Sequence, residues 1–255
     1  MNASYSVKEL DVAVNALMDL GEAMITCGGE ISRAEDTLSR LGKAYGAIRV
    51  DVFAINSCIM ATVEFPDNLE FTRTRRILAS ESTDLRRLED LNQLSRNFSA
   101  DPRDPGELSA EVKRIIERPS SKLKSFIGSM LAASAFTLFF GGSFIDAAVT
   151  IPFAAIVWLL SRFAMPLSPN RVFYNFAASF AVGALVGAVS LISPLIHRNL
   201  VTIGIIMLMV PGIALTYSVR NILVGDTISG STKAIEAVFW TASLAAGFSL
   251  ALSLI

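Results

Sequence analysis

Residues 125–162 read SFIGSMLAASAFTLFFGGSFIDAAVTIPFAAIVWLLSR, and they give the clearest indication of the fold class. Its side chains are almost all apolar, and Gly141-Gly142 divides it into two runs. A helix needs about 20 mostly apolar residues to cross about 30 Å of hydrocarbon, and each run is close to that length. We therefore predict two membrane-spanning helices joined as a tight hairpin, with Asp146 at the start of the second helix.

The same apolar character continues to the end of the chain. The five predicted spans are about 125–141, 144–162, 172–193, 199–219 and 233–255. Pro152 falls inside the second span and Pro211 inside the fourth. A helical bundle tolerates such prolines where neighbouring groups satisfy the freed backbone carbonyls, so neither proline excludes a span.

Charge divides the chain near Lys124. Residues 1–124 contain 17 Lys/Arg and 20 Asp/Glu, whereas residues 125–255 contain only 5 and 3. We predict a small cytoplasmic α+β domain over residues 1–120, followed by a five-helix transmembrane domain over residues 121–255. The net charge of -1, without a basic cluster, argues against a nucleic-acid-binding protein.

Periodicity outlines the first domain. Ser6 and Glu9 have the spacing of a capping box. Apolar residues at three-and-four spacing predict one or two helices over residues 6–45, with a break at Gly28-Gly29. Alternating residues then predict strands at about 48–54, 58–65 and 69–73. Two further amphipathic helices complete an α+β fold.

The first domain carries no catalytic motif. It contains no histidine, no phosphate-binding loop and no metal-ligand spacing, and Cys27 and Cys58 lie far apart. Glu30, Arg33 and Glu35 form a charged group, which we interpret as ion pairs on a helix face rather than as a site. The sequence thus predicts a protein that is not an enzyme and has no cofactor and no metal site.

Basic residues set the predicted orientation. Those on the side of the first domain are Lys122, Lys124, Arg162, Arg171, Arg220 and Lys233, and the opposite side carries only Arg198. Cytoplasmic loops of membrane proteins are enriched in Lys and Arg. The N-terminal residues also lack the pattern of a signal peptide. We therefore expect a multi-pass protein of the bacterial inner membrane, with a cytoplasmic N-terminus and a periplasmic or extracellular C-terminus.

Polar groups inside the predicted spans are candidate site residues, because charges in a bilayer are costly and usually have a function. Asp146 either lies at the outer interface or takes part in substrate or proton coupling. Asn175 must find a hydrogen-bonding group within the bundle, and a bond between helices would explain it. We interpret His197 as a solvated loop residue rather than a proton relay.

The segment VPGIALTYSVRNILVGDTISGSTK, residues 210–233, is the main candidate for a binding site. Pro211 and Gly212 allow the fourth span to break there, and broken helices expose backbone groups that transporters use to bind small charged solutes. Arg220, Asn221 and Asp226 follow. They belong either to a substrate site or to an ordinary cytoplasmic loop after a proline kink.

Three motifs, taken in order, resemble the threonine/serine exporter family (ThrE-like). They are G-E-x-x-R-x-E at Gly29, Glu30, Arg33 and Glu35, G-G-x-x-x-D at Gly141, Gly142 and Asp146, and a P-G stretch that continues to G-D-x-x-S-G at Gly225, Asp226, Ser229 and Gly230. The resemblance covers nearly the whole chain. In the family pattern an aspartate often follows the arginine after P-G, whereas this chain has Asn221.

The resemblance implies a subunit of a secondary transporter that exports small metabolites. Some family members carry a second membrane half and resemble amino-acid exporters of the threonine/serine type. Split members work with a separate small integral membrane protein and are linked to export of dicarboxylates such as succinate. The alternative is a membrane-anchored sensor or scaffold in which the soluble domain carries the activity.

An odd number of spans adds an argument for a membrane partner. Five spans put the two chain ends on opposite sides of the membrane, which is the geometry of one inverted repeat. We therefore expect the chain to bind a small membrane protein, with a higher oligomer as a further option. Gly183 and Gly187 form a small-x-x-x-small pair that lets helix backbones approach closely, so this face serves either for packing within the bundle or as the contact surface for the partner.

Overall fold

A computed structural model describes residues 5–77, 83–119 and 121–254. The chain forms two compact units, Met1–Pro119 and Ser120–Ile255, which separate next to the domain boundary expected from the charge distribution. Each unit is described by itself.

Two helices begin the first unit. α1 spans Val7–Thr26 and starts at the expected capping box of Ser6 and Glu9. α2 spans Ile31–Ala44. The helical conformation is interrupted between α1 and α2 because Gly28 adopts a positive φ of 86°, which residues with a side chain rarely adopt. Of the two expected arrangements, the one with two shorter helices is therefore observed.

A three-stranded antiparallel sheet follows, in the order β1-β2-β3. The strands are β1 Arg49–Ile55, β2 Cys58–Phe65 and β3 Leu69–Arg76. The third strand runs further than the expected end at residue 73. In the loop between β2 and β3, Asp67 and Asn68 both have positive φ, which Asn and Asp side chains tolerate.

Two helices and one apolar core complete the first unit. α3 spans Leu85–Ala100 and α4 spans Pro105–Glu117. α1 lies in the centre and contacts α2, α3, α4 and the sheet, so most of its side chains are buried. One face of the sheet packs on this core, because Ile59, Ala61 and Val63 are buried whereas their neighbours on β2 are more exposed.

Six α-helices make up most of the described part of the second unit. They are α5 Lys122–Phe139, α6 Phe144–Phe163, α7 Arg171–Ser190, α8 Arg198–Met209, α9 Gly212–Leu223 and α10 Thr227–Ser253. α5 packs against α6 and α8, and α10 packs against α7 and α9. A turn at Gly141-Gly142 joins α5 to α6, as the sequence predicts; Gly141 has a positive φ of 92°.

The described residues contain fewer clear spans than the five expected. Three helical segments are long and apolar enough to cross a membrane: Phe144–Leu167, Arg171–Ser190 and Thr227–Ser253. The pair α8 and α9 makes a fourth if it is counted as one broken span. α5 matches the first predicted span but carries Lys122 and Lys124 in its first turn. The five-span arrangement therefore stays a prediction.

The connection before the last span is shorter than predicted. α10 begins at Thr227 rather than near residue 233, so the segment between α9 and α10 is reduced to Val224–Asp226. Lys233 consequently lies inside α10 and is buried. The orientation argument instead placed it at the cytoplasmic end of the last span.

Close contact between α7 and α10 decides between the two interpretations of the Gly183/Gly187 pair in favour of packing within the bundle. Gly183 packs on α10, where an added Cβ would lie 2.9 Å from Phe248 Cδ1 and 3.0 Å from Ala251 Cβ. Gly187 is also buried within the chain. The Gly183/Gly187 face is therefore used for internal packing and is not a free surface for a partner.

Candidate functional site

The candidate residues of the membrane unit fall at separate places. Asp146 lies at the end of the bundle where α6 and α8 begin, and Pro211 and Gly212 lie at the junction of α8 and α9. Asn175 lies between α7 and α10. A last group lies where α9 ends and α10 begins, and it consists of Arg220, Asn221 and Asp226.

The junction of α8 and α9 is a sharp break. α8 ends at Met209, and the two helices are bent by 55°. Proline has no amide hydrogen, so Pro211 cannot continue the helical hydrogen-bond ladder. Val210 is extended, with φ -64° and ψ 130°, and Pro211 provides no side-chain cap for α9. The break expected at Pro211-Gly212 is thus present, and helix ends of this kind leave backbone groups without intrahelical partners.

Beyond the break, α9 and α10 meet along a polar contact that we call the α9–α10 seam. It consists of Ser218 and Asn221 on α9 and Ser229 and Lys233 on α10. All four residues are buried, with relative exposures of 2%, 5%, 1% and 4% in that order. Spacings of three and four residues put each pair on one helix face. From the sequence, Asn221 was a site candidate, Ser218 was one of the polar groups of the candidate segment, and Ser229 was part of the G-D-x-x-S-G motif.

Gly230 sets the close approach of the two seam helices. A Cβ at this position would lie 2.7 Å from Ile222 Cγ1 and 2.9 Å from the Ser218 carbonyl oxygen. Any larger residue would push α9 and α10 apart. Close packing of α9 and α10 therefore explains why the second glycine of the G-D-x-x-S-G motif, Gly230, has no side chain.

The remaining candidates at this end lie beside the seam. Asp226 is the N-cap of α10, and its Oδ1 accepts a hydrogen bond of 3.2 Å from the Ser229 amide. Arg220 is exposed and lies in the last turn of α9. A basic side chain there is favourable for the helix dipole. The structure thus brings Asn221 and Asp226 to the seam and leaves Arg220 at its solvent side.

Asp146 is fully buried at the opposite end. Its Oδ2 accepts hydrogen bonds of 2.8 Å from both the amide and the hydroxyl of Ser143, forming a capping box for α6. Its Oδ1 accepts a bond of 2.8 Å from the His197 amide, and His197 Nδ1 lies 3.0 Å from Oδ2. The carboxylate therefore joins the start of α6 to His197, the N-cap of α8.

The His197 side chain is exposed, as the sequence indicated, and it also has a contact that the sequence did not indicate. Its imidazole is 59% exposed but contacts the buried carboxylate of Asp146. The capping box S-x-x-D at Ser143 and Asp146 was visible in the sequence. Nothing local indicated that the same carboxylate would also bond a residue 51 positions away.

Asn175 links two helices of the bundle. Its Nδ2 donates a long hydrogen bond of 3.5 Å to the Trp240 carbonyl oxygen. One turn earlier, the Arg171 guanidinium stacks over the Trp240 ring at 4.0 Å from its centroid. These contacts fit the bond between helices that Asn175 was expected to need.

Charged residues of the first unit have structural contacts. Glu35 Oε1 accepts a hydrogen bond of 2.7 Å from the Ala54 amide, which ties α2 to β1. Glu30 pairs with Arg33 at 3.4 Å. The G-E-x-x-R-x-E motif therefore connects α2 to strand β1 through Glu35, and it also contains the ion pair between Glu30 and Arg33.

A second charged group in the first unit lies around Arg75. Its guanidinium contacts Asp19 and Glu22, and Ser109 donates to the second oxygen of Asp19. Burial lowers the pKa of Arg75, but the hydrogen bonds and charges of the two acids outweigh it, so the pKa is raised overall. Elsewhere in this unit, burial raises the pKa of the Cys27 thiol. An arginine paired in this way and a protonated thiol indicate structural roles.

These observations define the class of the protein: a helical membrane protein with an α+β unit and a pair of short apolar helices bent by 55°. A family model described as "putative threonine/serine exporter" (ThrE) matches residues 15–255. The chain belongs to this family, which places it among exporter-type transporters. No curated protein and no solved structure matches the chain.

Proposed function

We propose that the chain is one subunit of a secondary transporter that exports small metabolites across the bacterial inner membrane. The solute is either threonine and serine or a dicarboxylate such as succinate. Family membership supports the general activity.

The observation that carries this proposal is the bent pair of α8 and α9. An anchor for a soluble domain needs only straight apolar helices, whereas carriers use discontinuous helices to bind solutes and to change shape. Here the break lies next to a 12-residue helix with a buried polar face towards α10. A broken span and buried polar residues together favour a carrier over a sensor or scaffold.

We also propose a small integral membrane protein as partner. The resemblance to split members of the family supports it. Large apolar side chains are exposed on the outside of the membrane helices, among them Leu131, Phe144 and Phe239. Such a surface requires cover by lipid or by another membrane protein. The Gly183/Gly187 face does not support a partner or a stoichiometry, because it packs on α10 of the same chain.

The experiment is an export assay in a strain that lacks this chain and a small integral membrane protein chosen as its candidate partner. Extracellular threonine, serine and succinate are measured after loading the cells with each solute. We expect export to return when both proteins are supplied. Equal export by the chain alone would contradict the proposed requirement for a partner. If none of the three solutes is exported when both proteins are present, the proposed function is wrong.

A further inference from the structure

The α9–α10 seam combines three properties that packing alone does not require. It contains a lysine, Lys233, that is 4% exposed although it lies in a membrane helix. It contains a hydroxyl without a hydrogen-bond partner among the described residues. It lies after the break at Pro211 along the chain, because both α9 and α10 follow that residue.

Lys233 is costly at this position unless an interaction compensates for it. Moving a charged side chain away from water is unfavourable, and membrane proteins retain such residues mainly where they have a function. The Nζ atom lies 6.0 Å from the centroid of the Tyr217 ring, on the neighbouring helix α9. A ring face at this distance attracts a cation, so the contact directs the ammonium group towards α9.

Ser229 offers a hydrogen-bond donor one turn before Lys233. Its hydroxyl oxygen is buried and has no hydrogen-bond partner among the described residues. Most serines of the described membrane helices instead donate to a carbonyl of the preceding turn, as Ser218 does to Leu215 at 2.7 Å. A buried hydroxyl left without a partner is unfavourable, which indicates that a ligand completes its bonding.

We infer that the α9–α10 seam binds a carboxylate group of the exported solute, with Lys233 providing the charge and the Ser229 hydroxyl donating a hydrogen bond. This inference rests on the proposed function, because a carboxylate is the group that threonine, serine and succinate share. A buried ammonium and a hydroxyl are suitable donors for a carboxylate. Asn221 and Ser218 provide further polar atoms on the α9 side.

The close approach at Gly230 gives the site a second property. With Ile222 and Ser218 so near Gly230, the seam in this structure is closed. A solute can enter only if α9 moves away from α10, and the break at Pro211 is where α9 can change direction. The seam therefore binds solute in a state in which the two helices have parted.

The test measures binding to the purified full-length chain in lipid nanodiscs, together with its candidate partner. The probes are L-threonine and succinate, and their amides, threoninamide and succinamide, serve as ligands without a carboxylate. We expect at least one acid to bind and its amide to bind at least tenfold more weakly. Lys233→Met should weaken binding of that acid at least tenfold, and its export should fall with it.

Ser229→Ala provides the second variant. Its hydroxyl has no partner among the described residues, so its removal should leave the melting temperature unchanged or raise it. Binding of the acid should nevertheless weaken about tenfold, the order of affinity that a hydrogen bond to a charged group contributes. Lys124→Met, at an exposed lysine in the first turn of α5, is the matched control and should bind like the wild type.

Unchanged binding in both Lys233→Met and Ser229→Ala would overturn the inference, as would equal binding of acid and amide by the wild type. Either result leaves the proposed function intact if the wild type still exports the solute. Failure of the wild type to export any of the tested solutes would instead contradict the proposed function.

Discussion

At the scale of single residues, Asp146 joins two helix starts. A carboxylate that is fully buried needs hydrogen bonds to compensate for lost water. Asp146 obtains them from the amide and hydroxyl of Ser143 and from the amide and ring of His197. Its burial thus has a structural explanation, whether or not the carboxylate also takes part in coupling.

Asp146→Asn and Asp226→Asn should differ in stability. In Asp146→Asn, the new amide nitrogen would direct a donor towards donors of Ser143 or His197, so we expect a loss of about 1–3 kcal/mol. Asn is as good an N-cap as Asp, and Asp226→Asn should therefore change stability by less than about 0.5 kcal/mol. Thermal unfolding in detergent measures both variants. Equal melting temperatures would show that the bonds to Asp146 contribute no net stability.

The local half of the Asp146 contact was predictable and the distant half was not. The capping box depends on residues three apart, so the sequence contains it. The bond to His197 depends on how α6 and α8 pack, and a short sequence pattern carries no information on that. Ser229 and Lys233 were not identified as neighbours on one helix face for a related reason. The predicted span began at residue 233, so Ser229 was placed in the preceding connection and Lys233 at the first position of the span, whereas α10 begins at Thr227.

At the scale of helices, two prolines in predicted spans behave differently. α6 continues through Pro152, where the Thr150 hydroxyl donates to the Asp146 carbonyl and lies 2.9 Å from the Thr137 hydroxyl. At Pro211 the helix breaks, and the next residue is Gly212, around which an added Cβ would meet no atom within 4 Å. Neighbouring side chains pack around Pro152, and α6 stays continuous there. No comparable packing surrounds Gly212, and the helix is interrupted.

The double variant Pro211→Ala with Gly212→Ala should straighten the pair α8 and α9. Alanine restores the missing amide donor and strongly favours the helix. We expect export to be abolished while the amount of protein in the membrane stays near normal. Pro152→Ala is the control, since its helix is already continuous, and it should export normally. Wild-type export by the double variant would mean that the break is not required for transport.

Packing between α7 and α10 gives a second prediction for helices. A Cβ at Gly247 would lie 2.0 Å from Ser179 Oγ and 2.6 Å from the Phe176 carbonyl oxygen. Gly247→Ala should therefore lower stability by about 1–3 kcal/mol, because the backbone of α7 must move. Gly128→Ala, where a Cβ meets no atom within 4 Å, should be neutral or stabilising by about 0.5–1 kcal/mol. Melting temperatures of the two variants test the contrast.

At the scale of the whole molecule, composition predicted the division into a charged α+β unit and an apolar helical unit. The number of spans was harder to predict. Hydropathy places apolar runs well but does not decide whether α5, with two lysines in its first turn, crosses the membrane. It also does not show that a helix such as α10 extends past a lysine.

The orientation of the chain remains a prediction. Without Lys233, five basic residues flank the spans on the side of the first domain against Arg198 on the other, so the bias persists. A C-terminal alkaline phosphatase fusion should be active in the periplasm, and a C-terminal fluorescent protein should be dark. The reverse pattern would contradict five spans and indicate an even number.

The bend at Pro211 also has a mechanical consequence. α9 contains 12 residues, so it is a rigid arm of about 18 Å pivoting at one end. A rotation of about 10° at the pivot moves the far tip by about 3 Å, roughly the length of one hydrogen bond. Small changes in the torsion angles of Val210, or in ψ of Pro211, would thus be amplified at the far end of α9. Opening would then require rotation about the backbone φ and ψ bonds of these two residues instead of sliding of whole helices.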